Sequence, residues 1–486
     1  MSKATRDPRG WADALGTLDP SAGRLLEGCN PFDDQSVFVL PADIPGAALE
    51  IESGHAAAFF DRLSALDPEP SDTGSRLRFL ARLDRGEATF SEALLQMIHA
   101  IDRSLTRYLR HTPRSNFSAV VDDPERETGV LLAWSSSNAR LARLAAGLGH
   151  AGVLELLAGA EGEAEALDWA LDRVRGRLKK RRRTEGAALA AAAAIRADLP
   201  HELLGMSYIR LGDGAHQQTI STSAITSGLT GSEPGERVEQ AGRLLHTMCG
   251  HPPPARIPAV VVAGDRQASV VAAEIERLLR AAGHSVGLSS AGHVTIGGKP
   301  VETVELSRNE VLRFLRRDPR VEVLVHTAPP GRVRRHGLRL SRCRVVVVLA
   351  PTKGRDAAIY RQGVEVAVRA ATGPVLLDLR HPLTAELLSG LDPERVILTG
   401  GRRGRRDIEL HAGRGGVGVL PAADKLPALE ILAGGESVRT LELPPAATED
   451  RVRRNALVKA VGVALGLGLS REDIASAMPR FSCLRD

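Results

Sequence analysis

The chain has 486 residues, 43% of them hydrophobic and only 3% aromatic, which is enough for two to four domains with cores built from valine, leucine and alanine. The formal net charge of +5 is modest, no apolar run is long enough to cross a bilayer, and the N-terminus carries no apolar signal core, so we expect a cytoplasmic protein without a membrane contact. The four cysteines lie far apart, which argues against a disulfide framework and against a metal held by cysteine pairs.

The first 205 residues alternate between strand and helix patterns. Residues 1–35 are polar with scattered glycine and proline, and we expect a flexible arm there, with a short helix around Trp11–Leu18 as the alternative. Residues 36–205 are expected to form an α+β domain. Its strands are predicted at Ser36–Leu40, Phe117–Val121 and Gly129–Trp134, and its helices at Ala56–Leu66, Phe90–Leu109, Ala139–Leu157 and Glu163–Leu178.

A basic run, Lys179–Arg183, follows the last of these helices. A nucleic-acid surface would combine more basic residues on one face with interleaved aromatic side chains. Tyr208 is the only aromatic residue that follows nearby. We therefore interpret the run as the solvated end of a helix, and we do not expect nucleic acid as a partner.

The rest of the chain divides into a short segment and a long α/β region. Residues 206–256 hold a short strand, a glycine-rich turn, one helix and a proline-rich linker. From residue 257 apolar strands alternate with helices, which predicts a parallel sheet covered on both faces. Strands are predicted at Val260–Ala263, Val321–Val325, Arg344–Leu349, Val375–Leu379 and Val396–Leu398, and helices at 270–282, 307–316, 357–370 and 384–389. Edge β structure is predicted at Ile408–Leu420 and Arg439–Leu443. A closing pair of helices is predicted at Asn455–Leu465 and Arg471–Met478.

The α/β region begins with an arrangement that often binds phosphate. An apolar strand is followed by Gly264 and then by a helical pattern, which presents the N-terminus of a helix to an anion. A phosphate-binding loop needs a second glycine and then Lys-Ser/Thr, because the lysine contacts the phosphates and the hydroxyl holds Mg²⁺. Gln267, Ala268 and Ser269 stand at these places. Ser269 keeps the hydroxyl, although a serine at this position is more often a helix cap.

Two arginine clusters lie farther along the α/β region. The first contains Arg332, Arg334 and Arg335, with Arg339, Arg342 and Arg344 after them, and the second is Gly401–Arg406, which contains Arg402 and Arg403. Both are interpreted either as solvated loop charge or as contacts to an anionic partner, such as a carboxylate-rich peptide, a nucleotide or an acidic face of another subunit.

Two further patterns in this region are weak. The glycine-rich His411–Gly418 opens no predicted helix, so a β-turn region is favoured over a phosphate loop. Asp378, His381 and Ser389 lack a Gly-x-Ser-x-Gly elbow, which argues against a hydrolase.

Several motifs together resemble cyanophycin synthetases. Leu211–Gly228 resembles the junction at which that family's ATP-grasp module opens, and the stretch from Val260 to Ser269 resembles the start of its Mur-ligase-like module. Val325–Leu338, Ser341–Leu349 and Asn455–Leu465 resemble later motifs in the same order. The resemblance implies a multidomain α/β fold. An α+β N-terminal domain is followed by an ATP-grasp remnant and linker (206–256) and by a Mur-ligase-like, P-loop-type parallel-sheet domain (257–486).

The resemblance also implies sites that this sequence lacks. Only about 40 residues separate the junction motif from the Mur-like strand, and no lysine lies between Lys180 and Lys299, so an ATP-grasp body is absent. The family's metal-binding glutamate falls on His326, and its later metal and base positions fall near Ala350 and 353–355. A helical H-x-x-E-H metal motif of some relatives falls on Ala93, Gln96 and Met97, with His99 nearby and alone.

These losses favour a catalytically inactive protein of the cyanophycin synthetase type. We expect no catalytic residue, no metal and no cofactor, and a scaffold or regulatory role in a homo-oligomer or with an active homologue, with an acidic peptide polymer as a possible further partner. The alternative is an ATP-dependent amino-acid or peptide ligase with a divergent nucleotide site. In that case ATP and Mg²⁺ would bind at Gly264, Arg266 and Ser269.

Overall fold

Three β-sheets follow one another along the chain. The computed structural model describes residues 18–33, 35–42, 53–67, 78–79, 81–83, 85, 87–110, 117–122, 130–136, 138–158, 164–230, 233–249, 255–265, 267–291, 293–302, 306–351, 357–422, 428–443 and 451–483. Several sequence features lie wholly or partly outside these ranges: the first half of the arm predicted at residues 1–35, the first residues of the predicted strand Gly129–Trp134 and helix Glu163–Leu178, residues 250–254 of the proline-rich linker, Arg266, and positions 353–355.

The N-terminal sheet has four antiparallel strands. They are β1 (Arg24–Leu26), β2 (Val37–Ala42), β3 (Ser118–Asp122) and β4 (Val130–Ser135), in the order β1-β2-β4-β3. Four helices accompany the sheet: α1 (Ser53–Leu66), α2 (Phe90–Tyr108), α3 (Ala139–Ala158) and α4 (Ala164–Leu178). Phe38 and Trp134 meet in the core with ring centroids 5.0 Å apart. The α+β composition predicted for this region is confirmed.

Helix α2 is the central helix of the N-terminal module. Thr89 caps it through a capping box with Glu92, in which each side chain bonds the backbone N–H of the other residue. One continuous apolar side of the helix is buried, because its apolar residues recur every three or four positions. Ala93 and Met97 belong to this buried side. Two of the three positions that correspond to the H-x-x-E-H motif are therefore used for core packing, and the third, Gln96, is half-buried.

The small sheet follows the N-terminal module. Its strands β5 (His201–Leu204), β6 (Tyr208–Leu211) and β7 (Gln218–Ser221) are antiparallel. Buried alanines of α5 (Glu185–Arg196) share a core with these strands and with α7 (Pro234–Met248), and α6 (Thr222–Ser227) lies between β7 and α7. The packing therefore associates α5 with the small sheet rather than with the N-terminal sheet.

The large sheet contains eleven strands. They are β8 (Ala259–Ala263), β9 (Val286–Ser290), β10 (His293–Ile296), β11 (Lys299–Pro300), β12 (Val323–Ala328), β13 (Val345–Val348), β14 (Val375–Asp378), β15 (Val396–Thr399), β16 (Val417–Pro421), β17 (Ala428–Ala433) and β18 (Glu436–Glu442). The order is β11-β10-β9-β12-β8-β13-β14-β15-β16-β17-β18. The strands from β9 to β16 in this order are parallel, and the two ends of the sheet are antiparallel. The predicted parallel sheet, and with it the α/β class, is confirmed.

Helices cover both faces of the large sheet. They are α8 (Ala268–Ala281), α9 (Arg308–Arg317), α10 (Pro330–His336), α11 (Ala357–Ala370), α12 (Thr384–Ser389), α13 (Arg405–Gly413), α14 (Arg451–Gly466) and α15 (Arg471–Cys483). Val260 and Val262 of β8 pack toward α8, α14 and α15, whereas Val261 and Ala263 belong to the core on the other face with α9 and α11. A strand buried on both faces reads as a continuous apolar run, which is why β8 is readily predicted.

One predicted element of the large sheet is wrong. The sequence predicts β structure over Ile408–Leu420, but the first part of this range belongs to α13 and only Val417–Pro421 forms a strand. Ile408, His411 and Ala412 are buried at helical spacing, and Gly415 follows the helix with a φ of 95°. The glycines therefore end a helix instead of linking two strands.

Residues 27–29, which we call the docking segment, run beside residues 336–340 of the α/β region. The Cys29 N–H donates to the Leu340 carbonyl over 3.0 Å, and the Leu338 N–H donates to the Cys29 carbonyl over 2.8 Å. Gly28 has a φ of 71° and approaches the Leu340 backbone so closely that a Cβ would lie 2.7 Å from it. The expected flexible arm over residues 1–35 is therefore wrong for its described second half, since β1 and the docking segment are both paired.

Candidate nucleotide crevice at the carboxyl end of strand β8

At β8 the order in which the chain adds strands to the large sheet changes from one side of the sheet to the other. From β8 the chain first builds β9 and β12 on one side and then β13 to β16 on the other side, so β12 and β13 are the immediate neighbours of β8. In open parallel sheets, ligands bind beyond the carboxyl ends of the strands at such a switch point. The loop between β8 and α8 lies at this place and begins with Gly264, and Ser269 follows in the first turn of α8.

Gly264 is packed against an apolar side chain. A Cβ at this position would lie 2.8 Å from the Leu349 Cβ and 3.0 Å from the Leu349 Cδ1. Leu349 follows β13 and is 2% exposed. The missing side chain at Gly264 therefore makes room for Leu349, whereas in a phosphate loop it would let the backbone approach a phosphate.

The start of α8 carries neither a cation nor an unbound hydroxyl among the described residues. Ala268, at the place of the loop lysine, is the first residue of the helix and is 2% exposed in the apolar core. The Ser290 hydroxyl, at the carboxyl end of β9, donates to the Ser269 Oγ over 2.9 Å. The hydroxyl that would hold Mg²⁺ in a phosphate loop is thus engaged with another side chain. Arg266 lies outside the described residues.

The neighbouring strands bring no carboxylate to the expected metal position. His326 stands there, 8% exposed within β12 and in register with Val261 of β8 and Ser289 of β9. Ala350, near a second metal position of the resemblance, is exposed. Among the described residues, no three histidine, cysteine, aspartate or glutamate side chains come together as a metal site.

A tyrosine fixes the backbone that carries Leu349. The Tyr360 hydroxyl, on α11, donates to the Leu349 carbonyl. Burial, and after it the nearby Asp265, raises the pKa of the Tyr360 hydroxyl well above its ordinary value. The hydroxyl therefore stays protonated at neutral pH and keeps donating, which stabilises the backbone that places Leu349 beside Gly264.

A buried ion pair lies at the carboxyl end of β14. Lys459 of α14 donates to the Asp378 carboxylate over 3.0 Å, and Arg380 contacts the same carboxylate over 2.8 Å. Burial disfavours the charged carboxylate and by itself would raise the pKa of Asp378. Arg380 and Lys459 together have the larger effect, so the pKa of Asp378 lies below its usual range. The sequence signal for this pair is a lysine inside an apolar helical run, which requires a buried partner.

The Asp378, His381 and Ser389 set does not form a catalytic group. The Ser389 hydroxyl donates to the Glu386 carbonyl over 2.7 Å, and the His381 Nδ1 accepts from the Leu383 N–H over 3.0 Å. Burial lowers the pKa of His381, so the ring is neutral at physiological pH. Asp378 is engaged with Lys459 and Arg380, and the argument against a hydrolase therefore agrees with the contacts.

The two arginine clusters occupy different parts of the large sheet. Arg332, Arg334 and Arg335 lie on α10, which follows β12. Arg402 and Arg403 follow β15, four positions from β12 in the sheet. The strands that precede the two clusters, β12 and β15, thus have three other strands between them.

None of the described helices is both long enough and apolar enough to cross a membrane. No family model matches the chain, and no curated protein matches it.

Several solved ligase structures resemble part of the chain. One is a UDP-N-acetylmuramoyl-L-alanyl-D-glutamate–2,6-diaminopimelate ligase, with 11% identity over 51% of this chain and 50% of that one and a TM-score of 0.38. Another is the bifunctional folylpolyglutamate synthase/dihydrofolate synthase of Yersinia pestis, with 18% identity over 46% and 57% and a TM-score of 0.31.

A third neighbour is the UDP-N-acetylmuramate:L-alanyl-γ-D-glutamyl-meso-diaminopimelate ligase of Neisseria meningitides, with 13% identity over 52% and 76% and a TM-score of 0.32. The chain spans about half the length of the first two ligases.

Proposed function

We propose that this protein is a non-catalytic relative of the Mur-type ligases that serves as a scaffold or regulatory subunit. The state of the crevice beyond β8 carries the proposal: Leu349 lies against Gly264, where a phosphate would have to approach the backbone. Ala268 replaces the lysine, and the Ser269 hydroxyl accepts a bond from Ser290. The proposed partner is a second copy of the chain or an active homologue of the cyanophycin synthetase type.

The chemistry of phosphoryl transfer supports the same proposal. Charge spreads over the transferring phosphoryl oxygens, and enzymes stabilise it with a lysine, a metal ion and positioned N–H donors. At this crevice the buried Ala268 stands at the place of the lysine, and His326 stands at the place of the metal-binding glutamate. Lys459 is engaged in a buried pair with Asp378 and does not substitute for the missing lysine.

Restoring the loop tests whether Leu349 closes the crevice. We expect Gln267→Gly/Ala268→Lys to bind no Mg²⁺–ATP in calorimetry, because Leu349 still occupies the space beside Gly264. Adding Leu349→Ala should produce Mg²⁺-dependent binding, measured as the difference between titrations with Mg²⁺ and with EDTA. The matched control is the variant Gln267→Gly/Ala268→Met/Leu349→Ala, because a methionine side chain is similar in length to lysine but carries no charge.

Mg²⁺-dependent binding of ATP by the unaltered protein would contradict the proposal and favour the alternative, an ATP-dependent ligase with a divergent nucleotide site. The names of the structural neighbours agree with that alternative, but the likenesses are too partial to support it. Gly264→Val is a poor test, since any side chain there collides with Leu349 and disturbs the fold.

The partner is tested separately. Native mass spectrometry of the protein purified from its own source should give either a multiple of the 51.8 kDa chain or a complex with a homologue that keeps the loop lysine. A lone monomer under the same conditions would contradict the scaffold role without affecting the statement about the crevice.

A further inference from the structure

A cavity of about 560 Å³ opens between the three sheets, far from the crevice. Its walls come from α2 and the ends of β1 and β4 on one side, from β5 and β6 on a second side, and from α9 on the third. Arg256, three residues before β8 begins, also lines it. The cavity therefore lies at the amino edge of the large sheet, whereas the crevice lies at the carboxyl edge.

The lining of this cavity carries excess positive charge. Among the described residues that line it, eight are arginines, four are aspartates or glutamates and none is a lysine. Planar guanidinium groups with five N–H donors match the oxygens of phosphates and carboxylates better than ammonium groups do. We call this space the arginine cavity.

Ion pairs within the lining hold several of these arginines in place. Arg316 contacts both carboxylate oxygens of Asp213 over 3.0 and 3.1 Å. Glu202 is shared by Arg210 and Arg317, one guanidinium to each carboxylate oxygen. Each guanidinium has more donors than these contacts use. Two further lining arginines pair with carboxylates outside the lining, Arg103 with Asp67 over 3.2 Å and Arg256 with Asp198 over 3.0 Å. These pairs orient the arginines and reduce the positive excess of the lining without removing it.

A buried acid on the opposite wall has an oxygen without a hydrogen bond. Asp102 of α2 is 3% exposed and lines the cavity, and within the described part of the chain its Oδ1 has no hydrogen-bond partner. Burial raises the pKa of Asp102 to about 7, although a hydrogen bond with Ser136 and the charge of Arg103 oppose the rise. A large share of the side chain is therefore protonated near neutral pH, and a protonated carboxyl group can donate to an anion.

One residue of the lining has a strained backbone. Arg339 has a φ of 66°, which is uncommon for a residue with a Cβ, and its N–H donates to the Glu27 carbonyl over 2.6 Å. The docking segment thus holds Arg339 in this conformation at the cavity wall. Strain of this kind persists where the surrounding structure enforces it, and such positions cluster at ligand sites.

We propose that the arginine cavity binds a small multivalent oxyanion, a compound with two or more phosphate or carboxylate groups. The arginines of α9 and of the small sheet bind its charged groups, and Asp102 donates to it from the N-terminal wall. Because all three sheets contribute to the cavity, the bound anion links them. This site is independent of the crevice and of Mg²⁺.

The test uses two probes, inorganic tripolyphosphate and citrate, titrated by calorimetry in EDTA at low salt. We expect at least one to bind, and the preferred probe distinguishes a phosphate ligand from a carboxylate ligand. Arg339→Asn removes one charge while keeping a residue that tolerates positive φ, and Arg316→Gln removes another. Each should weaken binding about tenfold or more, as expected for loss of a charge-assisted hydrogen bond.

Arg439→Gln is the matched control, because Arg439 is exposed on β18, does not line the cavity and belongs to neither arginine cluster. It should leave the affinity within about twofold of the unaltered protein. Circular dichroism establishes whether each variant is folded, and if Arg316→Gln is not folded, Arg339→Asn alone decides the outcome. Failure of both probes to bind at millimolar concentration, or an equal loss in Arg439→Gln, would overturn the proposal.

Discussion

Single residues at the crevice show what the sequence reveals and what it hides. The loss of the loop lysine is visible in the sequence, because Ala268 stands at a fixed distance from the strand and from Gly264. The role of Leu349 is not visible, since it lies 85 residues beyond Gly264 and approaches it only when β13 pairs with β8. Long-range packing of this kind leaves no local sequence pattern. For the same reason the sequence indicates that Lys459 needs a buried partner but does not identify that partner as Asp378.

Asp102 gives a prediction of pH dependence at the residue scale. Its pKa is about 7 in the folded chain and near 3.8 when exposed, so the folded state holds the proton more tightly. The stabilisation is complete below pH 3.8 and is lost as the pH rises to about 7. Asp102→Asn has no such dependence. Between pH 4 and pH 7 the variant should therefore gain free energy of unfolding relative to the unaltered protein, by about 1.4 kcal/mol for each pH unit.

Urea denaturation at pH 4 and at pH 7 measures this difference. Ser136→Ala is a useful companion, since it removes the bond that opposes the rise in pKa and should extend the pH dependence to higher pH. A difference between Asp102→Asn and the unaltered protein that stays constant with pH would show that Asp102 is charged in the folded chain.

At the scale of elements, most of the predicted strands and helices are present, but strands β9, β10, β11 and β17 are not predicted from the sequence. One wrong prediction arises because glycine has more than one use. The glycines after α13 end a helix, although the same composition is typical of turns between strands. The motif Leu211–Gln218 shows a second use. Gly214 has a φ of 51° and lies against the backbone of Val321, where the Ala215 N–H donates to the Val321 carbonyl over 2.8 Å. This motif joins the small sheet to the large sheet.

Gly214→Ala should therefore destabilise the protein more than an ordinary glycine substitution. Its Cβ would lie 2.2 Å from the Val321 carbonyl oxygen and 2.8 Å from the Ile257 Cγ2, so the clash adds to the cost of positive φ. We expect a loss of at least about 2 kcal/mol in the free energy of unfolding. Gly205→Ala is the control, because Gly205 has a φ of 67° but nothing within 4 Å. Equal losses in the two variants would refute this account of the junction.

At the scale of the whole molecule, the class and the order of the modules are predictable, but their docking is not. Alternating strand and helix patterns are enough to predict a parallel sheet. The docking segment near Gly28 belongs to a polar stretch that resembles a linker, and its strand-like pairing with Leu338 and Leu340 depends on the folded α/β region. The arginine cavity is likewise not predictable from the sequence, because the residues that line it are far apart along the chain.

Gly28→Ala should loosen the coupling between the N-terminal module and the α/β region. Its φ is 71°, and a Cβ would lie 2.7 Å from the N, C and O atoms of Leu340. We expect scanning calorimetry to show one unfolding transition for the unaltered protein and two for the variant. Gly434→Ala has a similar φ of 65° with open space around it and should keep one transition. A single transition in Gly28→Ala would contradict the proposed coupling.

The most direct test of the central claim, that the crevice beyond β8 does not accept a nucleotide, is a crystal structure obtained with a non-hydrolysable ATP analogue and Mn²⁺. Anomalous scattering locates the Mn²⁺ independently of any anion in the arginine cavity. The account predicts no Mn²⁺ peak beside the Ser269 hydroxyl and Leu349 still packed against Gly264. A Mn²⁺ ion bound to Ser269, with a triphosphate along the loop from Gly264 to Ala268, would contradict it.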